Sequence, residues 1–307
     1  MAKRRASLAL LCSVALFLLA GCSSALRTAA VNALGDAMAS GSSTYASDDD
    51  PELVAQAIPF GLKTMEALLA ESPRHEELLV AAAAGFTQYA YAFVQLEADY
   101  AEARDLARAT QMRARARKLY RRALDYGLRS LEVRHEGFRE RLRAGETSLL
   151  PSLTARDVPL LYWTGAPWAA LISLSKEDSE LTADQGLVEA MMNRALALDE
   201  SFGRGSIHDF FISWDGGRPA SAGGSRERAR WHLERAVEIS RGERAAPWVS
   251  YAESVTVGQQ DRRAFVEALE KALAVDPAKV PGLRLVNLVS QKRALWLISR
   301  SDELFLE

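Results

Sequence analysis

Apolar residues recur at intervals of three and four positions along most of the chain. Between residues 52 and 297, the run that starts with Leu53, Ala57 and Phe60 places its apolar side chains on one helical face, and later segments repeat this spacing. There is no sustained alternation of apolar and polar residues, and no hairpin turn separates strand-like runs. The pattern predicts an all-α protein.

Clusters of glycine and proline divide this helical stretch. They predict breaks at residues 72–73, 145–159, 203–205, 216–224, 242–247 and 276–282. Asp50 is a suitable N-cap and Pro51 suits the first helical position, so a helix is expected to begin at Pro51. The breaks cut the chain into helix pairs.

Small residues recur on the second helix of several pairs, at spacings of four and three. The positions are Ala116, Tyr120 and Ala123, then Ala229, Leu233 and Ala236, then Phe265, Leu269 and Ala272. Small residues let a neighbouring helix approach closely, as in stacked tetratricopeptide (TPR) repeats. Generic helical hairpins are the alternative, and either case predicts an α-solenoid.

The N-terminus has the features of a lipoprotein signal peptide. Lys3, Arg4 and Arg5 precede an apolar run over residues 6–19 that is short for a membrane span, and Leu19-Ala20-Gly21-Cys22 forms a lipobox. A plain secretory signal with a chance cysteine is the alternative. We expect a removed signal peptide (residues 1–21), a membrane-proximal segment that begins with lipidated Cys22 (22–50), and a single TPR-like helical domain (51–307).

The net charge and the positions of the cysteines restrict the cellular compartment and the kinds of partner that can be expected. The formal net charge is only -2, and the second cysteine, Cys12, lies in the predicted signal peptide. A nucleic-acid partner is therefore not expected, and no disulfide is available to the mature chain. An aspartate directly after the lipidated cysteine favours retention in the inner membrane. Ser23 occupies this position here, so the sequence favours the outer membrane.

No pattern of reactive residues predicts catalysis, a metal or a cofactor. The histidines His75, His135, His208 and His232 lack metal-ligand spacing, and the glycine clusters lack the ending of a phosphate-binding loop. Ser173 and Lys176 match Ser-x-x-Lys without the accompanying motifs of serine acyltransferases. We expect a protein that is not an enzyme.

A basic run is the sharpest charge feature of the sequence. It comprises Arg113, Arg115, Arg117, Lys118, Arg121 and Arg122. Helical spacing separates these residues from the neighbouring apolar positions, which predicts a solvated face. A docking surface for an acidic partner is the alternative.

Two aromatic clusters are the candidate binding residues. Trp163 and Trp168 flank Gly165 beside an expected kink at Pro167, and Phe210, Phe211 and Trp214 lie on a later helix. Core packing accounts for either cluster alone, whereas both together also suit an apolar ligand tunnel. Arg156 and Arg204 are the arginines nearest to these clusters in sequence, and so the candidates for binding a carboxylate.

Several features, in order along the chain, resemble the TRAP transporter T-component (TatT) family. They are the lipobox at Cys22, the Trp-x-Gly-x-x-Trp pattern at Trp163, Gly165 and Trp168, the helix over residues 229–242, and the segments 249–252 and 261–265. The resemblance implies a periplasmic lipoprotein with cryptic TPR-like repeats that works with a TRAP substrate-binding (P) subunit. It also implies a homotrimer with a pore through each subunit, and no catalytic residue.

These observations predict a T component that binds or passes an apolar or carboxylate ligand and docks a TRAP substrate-binding protein. The alternative is a TPR-type lipoprotein scaffold for outer-membrane or cell-envelope assembly. A scaffold would grip its partner in an open, charged groove, whereas the first hypothesis requires an enclosed cavity.

Overall fold

The computed structural model describes residues 29–39 and 42–306 of the chain. Within these ranges the regular elements are helical and no strand is present, so the predicted all-α class is confirmed. The predicted signal peptide and Cys22 lie outside the described residues. A helical stretch at 29–39 and a short helix at Ser42–Ala46 precede the main helices.

The main helices follow one another through short connections. They are α1 (Pro51–Glu71), α2 (Glu76–Ala90), α3 (Leu106–Arg134), α4 (Val158–Ser173), α5 (Gln185–Leu198), α6 (Ser206–Gly216), α7 (Arg226–Ser240), α8 (Ala246–Tyr251), α9 (Arg262–Leu273) and α10 (Arg284–Ser299). Helix α2 continues through a π-helical segment, Tyr91–Gln95, into Leu96–Glu102, and α8 continues through a second one, Ala252–Thr256, into Val257–Gln259.

Aspartate side chains start several of these helices. Asp50 accepts hydrogen bonds from the backbone N–H groups of Glu52 and Leu53, both at 3.0 Å, which confirms the predicted start of α1. Asp105 accepts one from Arg108 at 2.9 Å and caps α3 in the same way. These bonds satisfy donors that have no partner within the helix.

Each helix packs mainly on its neighbours in sequence, and α2, α6 and α8 also pack on the helix two places along. The small residues expected at the contacts are buried: Ala116, Ala123, Ala229, Ala236 and Ala272 are each 0% exposed. This is the packing that closely approaching helices require. The interpretation of these pairs as TPR-like repeats in a solenoid remains a prediction.

The first and last elements meet, so the chain of helices closes on itself. Helix α10 packs against the short helix Ser42–Ala46 and against α1. Its Lys292 Nζ lies 2.6 Å from Glu97 Oε1, and the rings of Tyr100 and Trp296 contact each other at a tilt of 54°, with centroids 5.3 Å apart. This closure brings the C-terminal helix against the segment that follows α2.

Two hydrophobic clusters form the core. The first runs from Leu62 to Trp214, and the second from Ala245 to Phe305. A small third cluster of Ile212, Leu233 and Ala236 includes Trp248 and Tyr251 at its edge, and those two residues also pack on the second cluster. The polar groups described below lie where these two parts of the molecule face each other.

Candidate functional site

The two π-helical segments are the first sign of a functional site. Such segments accommodate an extra residue in an otherwise regular helix, and they occur frequently at functional sites. Here one carries Tyr91 and the other carries Glu253. Arg293 pairs with Glu253 on the second segment and with Asp99, four residues after the end of the first, so the two irregular segments lie near each other.

Tyr91 is surrounded by many protein atoms and is still accessible to solvent. Desolvation by the surrounding protein raises the pKa of its phenol, and the nearby Glu253 and Asp209 carboxylates raise it further. Nevertheless, 45% of the residue surface is exposed. Tyr91 therefore lies in a crowded protein environment and still keeps a large accessible surface.

Tyr162, on α4, shares part of these surroundings. Burial raises the pKa of Tyr162 to about 12, while the charge of Arg244 lowers it and that of Asp209 raises it. Asp209 therefore acts on both Tyr91 and Tyr162. We refer to the region around Tyr91, Tyr162, Asp209 and Glu253 as the central cavity, because the accessible surface of Tyr91 indicates open space within it.

Two buried arginines hold the carboxylates of the central cavity. Arg244 Nη2 lies 3.1 Å from Asp209 Oδ2, and Ser250 Oγ donates to Asp209 Oδ1 at 2.8 Å. Arg293 pairs with Glu253 and also lies 3.1 Å from Asp99 Oδ2. Because each buried cation has an acidic partner, the charges are compensated in place.

The residues predicted from the aromatic clusters divide into two groups. Trp168, Phe211 and Trp214 are buried at 7%, 3% and 8% exposure, and Trp214 Nε1 donates to Glu189 Oε2 at 3.0 Å. Trp163 and Phe210 are partly exposed at the edge of the first hydrophobic cluster. The Trp163 ring contacts Tyr162 with centroids 4.8 Å apart, and it is thus the member nearest to the central cavity by direct contact.

Gly165 has a packing role. A Cβ at this position would lie 2.6 Å from Met192 Sδ, so the glycine lets α4 and α5 approach closely. Pro167 lies inside α4, which continues without interruption from Val158 to Ser173. The two arginines predicted as anion ligands are exposed, and Arg204 Nη1 pairs with Glu243 at 2.7 Å.

Sequence reasoning missed Tyr91, Tyr162, Asp209 and Glu253. The aromatic clusters drew attention to Trp163 and Phe210, each of which directly neighbours one of these residues in sequence. One sequence signal could have indicated Tyr91 and Glu253. A π-helical segment contains one extra residue, so the spacing of apolar positions shifts by one within an otherwise continuous helix.

The basic run extends along an exposed face of α3. Arg108, Arg115, Lys118 and Arg122 are all exposed and lie within one helical stripe, whose ends are about 21 Å apart at 1.5 Å per residue. We call these four residues the basic stripe. Arg113 instead pairs with Asp99 and Glu102, and Arg117 donates to the Leu174 carbonyl.

Helix α1 presents an apolar outer face. Leu53 is 56% exposed and Phe60 is 80% exposed, and the seven positions between them, about two turns, put both on the same side. By length and composition α1 and the helix Glu76–Glu102 could each cross a membrane, but half of the apolar window of the second is buried in the core. For α1 the buried share of this window is 17%, and Leu53 and Phe60 are among its exposed residues.

Asp36, His75 and Glu77 are close enough to be considered as metal ligands. His75 Nε2 lies 3.1 Å from the Asn32 carbonyl, and Nδ1 accepts from the Leu78 backbone N–H at 3.4 Å. The two carboxylates approach opposite ring nitrogens, both of which are already engaged. This arrangement fits a helix cap better than a metal site.

The described residues form an all-α protein whose first and last helices pack against each other. The chain belongs to the TRAP transporter T-component family, whose sequence model matches residues 47–305. It is similar to an uncharacterised protein of Treponema pallidum (strain Nichols), with 33% identity over 267 residues that cover 86% of this chain and 83% of the relative.

Family membership confirms the predicted resemblance and fixes the general role. The family supplies accessory components of transport systems and is not an enzyme family. The chain is accordingly a component of a TRAP transporter system with a periplasmic or membrane-associated location.

Proposed function

We propose that this protein is a periplasmic, lipid-anchored T component that binds or passes a small organic molecule through the central cavity. The observation that carries the proposal is Tyr91, whose phenol is desolvated by surrounding protein and yet 45% exposed. An enclosed cavity with aromatic walls and a few polar groups is the usual form of a small-molecule site. A scaffold protein has no need of one, so the cavity supports this role over the cell-envelope scaffold.

The ligand is proposed to be apolar or a carboxylate, as the family resemblance implies. Purifying the mature protein from its own membranes and identifying co-purified small molecules by mass spectrometry tests this. A Tyr91→Trp variant, which fills the accessible space, should lose the bound molecule. A Phe60→Trp variant on the outer face of α1 is the matched control and should retain it. If no molecule accompanies the wild-type protein, the binding role is refuted.

Docking of a TRAP substrate-binding (P) subunit is proposed to use the basic stripe. Arg108 and Lys118 form no ion pair with the described residues, and Arg122 lies 3.4 Å from Glu66, while Glu177 and Asp178 line the same groove as Lys118. Such a surface suits an acidic protein face and would make association depend on salt.

Charge reversal tests the docking surface. The paired substitutions Arg115→Glu and Lys118→Glu should weaken capture of the P subunit, with little effect on folding because both side chains are exposed. Reversal of Arg263 and Lys271 on α9 is the matched control. Equal capture by both double variants would exclude the stripe.

The lipid anchor is proposed to be attached at Cys22. Several acyl chains, at about 0.8 kcal/mol per buried methylene, would hold the mature protein on a membrane without a basic patch. Replacing Cys22 with serine should abolish acylation, as measured by incorporation of labelled fatty acid. Acylation that persists in this variant would exclude the lipobox assignment, and fractionation of wild-type membranes would distinguish the outer from the inner membrane.

A further inference from the structure

The helical stretch at residues 29–39 is fixed to the body of the protein. Ser72 Oγ donates to Asn32 Oδ1 at 2.8 Å, and His75 Nε2 lies 3.1 Å from the Asn32 carbonyl oxygen. Val31 and Met38 pack against the first hydrophobic cluster. The start of this stretch is therefore held at the turn between α1 and α2.

The opposite face of the same stretch is apolar and exposed. Leu34 is 50% exposed, and Ala30 and Ala33 beside it are also exposed. Asp36 is the single charged residue within residues 29–39. A helical face of this kind suits the boundary between lipid headgroups and acyl chains, although its small side chains alone would bind a membrane weakly.

The proposed lipid anchor brings this face close to a membrane. Cys22 precedes Ala29 by seven residues, and a fully extended chain of that length spans at most about 25 Å. A folded chain of about 270 residues has a radius of gyration of about 18 Å, so the body is wider than this tether is long. The side of the body remote from Ala29 therefore cannot be the side that rests on the membrane. Close tethering also makes a weak apolar contact effective, because the contact becomes intramolecular.

Helix α3 shows which end of the body points away from the anchor. Near its C-terminal end, Arg129 Nη2 donates to the Pro73 carbonyl at 3.0 Å, and Arg134 pairs with the first residue of α2. This end of α3 thus lies at the turn that holds residues 29–39. Leu106 begins α3, and at 1.5 Å per residue it is about 35 Å from Arg129. That distance exceeds the reach of the tether.

Resting on the proposed lipid anchor at Cys22, we infer that the protein lies on the membrane with the face around Leu34 against the phospholipid surface. Apolar contact close to the anchor holds the face there. The N-terminal end of α3 points away from the membrane, so the basic stripe, which begins at Arg108, is open to a partner that approaches from the aqueous side. This orientation deepens the proposed function, because it places the docking surface relative to the membrane.

Quenching of a fluorescent label by nitroxide lipid tests the orientation. Cys22 is the one cysteine after the predicted signal peptide, and the lipid would occupy its thiol, so a single added cysteine carries a bimane label. Leu34→Cys and Leu106→Cys are a matched pair, because both leucines are exposed, at 50% and 64%.

The lipidated protein is inserted into vesicles of phosphatidylethanolamine and phosphatidylglycerol that contain a lipid with a nitroxide on its headgroup. Because the two ends of α3 are about 35 Å apart, the label in Leu34→Cys should be quenched at least twofold more than the label in Leu106→Cys. Equal quenching of the two labels, or stronger quenching in Leu106→Cys, overturns the inference.

A third label reports the same end of the body without any change in residues 29–39. Pro73 is exposed on the turn between α1 and α2, and Pro73→Cys keeps the carbonyl that Arg129 binds. This label should also be quenched more than the one in Leu106→Cys. If it is not, the inference is wrong even where Leu34→Cys disturbs the local fold.

Charge substitutions test the apolar contact itself. With the label in Pro73→Cys, a second substitution Leu34→Asp should reduce the quenching, because a carboxylate would lose its hydration in the lipid boundary. Leu106→Asp, the matched control, should leave the quenching unchanged. Equal quenching in the Leu34→Asp and Leu106→Asp proteins would refute contact through Leu34.

The outcomes separate this inference from the anchor on which it rests. If the wild-type protein incorporates labelled fatty acid at Cys22 and all three labels are quenched equally, the orientation is refuted and the anchor stands. If the wild-type protein is not acylated, the proposed anchor is refuted, and the orientation with it.

Discussion

Trp163 and Trp168 lie five positions apart on α4 and have different surroundings. Trp168 is 7% exposed within the first hydrophobic cluster, whereas Trp163 packs at the edge of that cluster against Tyr162. Removing a buried indole deletes its transfer free energy and leaves a void, whereas a side chain beside an existing space loses less.

Substitution of these two residues should therefore have unequal effects. We expect Trp168→Ala to lower the free energy of unfolding by about 3–5 kcal/mol, and Trp163→Ala to lower it by distinctly less. Urea denaturation of both variants measures the difference. Equal costs would show that Trp163 is an ordinary core residue.

A buried histidine pair lies between α6 and α7. The Nδ1 atoms of His208 and His232 are 2.8 Å apart, and the residues are 0% and 5% exposed. Burial lowers the pKa of both rings, and the charge of the neighbouring His208 helps to bring the pKa of His232 to about 3. Glu200 and Asp215 are the acidic groups that approach the pair.

This pair should make stability depend on pH. In the unfolded chain His232 regains a pKa near 6.5, so between about 6.5 and 3 the unfolded state binds more protons than the folded state. Its stabilising contribution is complete above 6.5 and is lost as the pH falls towards 3. Wild-type protein should lose about 3 kcal/mol more than His232→Gln between pH 7 and 4, measured by urea unfolding at each pH. Parallel curves for the two proteins would contradict the assignment.

The helices show how far local sequence signals reach. Asp50 and Pro51 mark the start of α1 correctly, and each of the glycine and proline clusters coincides with an interruption between main helices. The break at residues 103–105 was missed because it contains neither residue type and depends on Asp105 as a cap. The sequence therefore predicts the ends of helices well where glycine or proline marks the turn between them.

The candidate site was less predictable than the fold. Trp163 and Phe210 were predicted, but the carboxylates and tyrosines beside them come together only when α2, α4, α6, α8 and α10 pack. Arg204 was chosen for its nearness in sequence, whereas Arg244 and Arg293, far apart along the chain, are the arginines that reach the cavity carboxylates. Such long-range neighbours leave no local pattern.

The π-helical segment in α2 can be tested as an element. Deleting Ala92 removes the extra residue, and a regular helix can then continue with its flanking faces in register. We expect this variant to remain folded, with unchanged helix content by circular dichroism, but to lose ligand binding because Tyr91 is reoriented.

The matched deletion is Ala268 in the regular helix α9. It rotates the following turn by about 100° and removes Leu269 and Ala272 from the core. This variant should show a much larger fall in melting temperature than the Ala92 deletion. If the Ala92 deletion is the more destabilising, the segment has a structural role and not a binding role.

Contacts far apart in sequence hold the whole molecule closed around the cavity. Arg284 Nη1 donates to the Ser47 carbonyl at 3.3 Å, and Lys292 and Arg293 reach Glu97 and Asp99. The walls therefore come from both halves of the chain, and Glu253 and Tyr91 belong to different halves. Opening this closure would move Glu253 relative to Tyr91, so we expect any binding in the proposed cavity to depend on the position of α10.

Self-association is the remaining property of the whole molecule. The family resemblance implies a homotrimer, and the outer face of α1 offers a surface for a second copy of the chain because Leu53 and Phe60 are uncovered there. Exposed apolar patches of this kind commonly mark protein interfaces. Charge introduced at Phe60 would have to be buried at such an interface, although it costs little in the separate protomer.

We therefore expect wild-type mature protein to have about three times the protomer mass in light scattering, and Phe60→Asp to dissociate. A loss of about 2 kcal/mol per interface would weaken association about 30-fold. Leu106→Asp, at another exposed apolar position (64%), is the matched control and should remain associated. A wild-type monomer at micromolar concentration would exclude the trimer, and a Phe60→Asp variant that stays trimeric would place its interface away from α1.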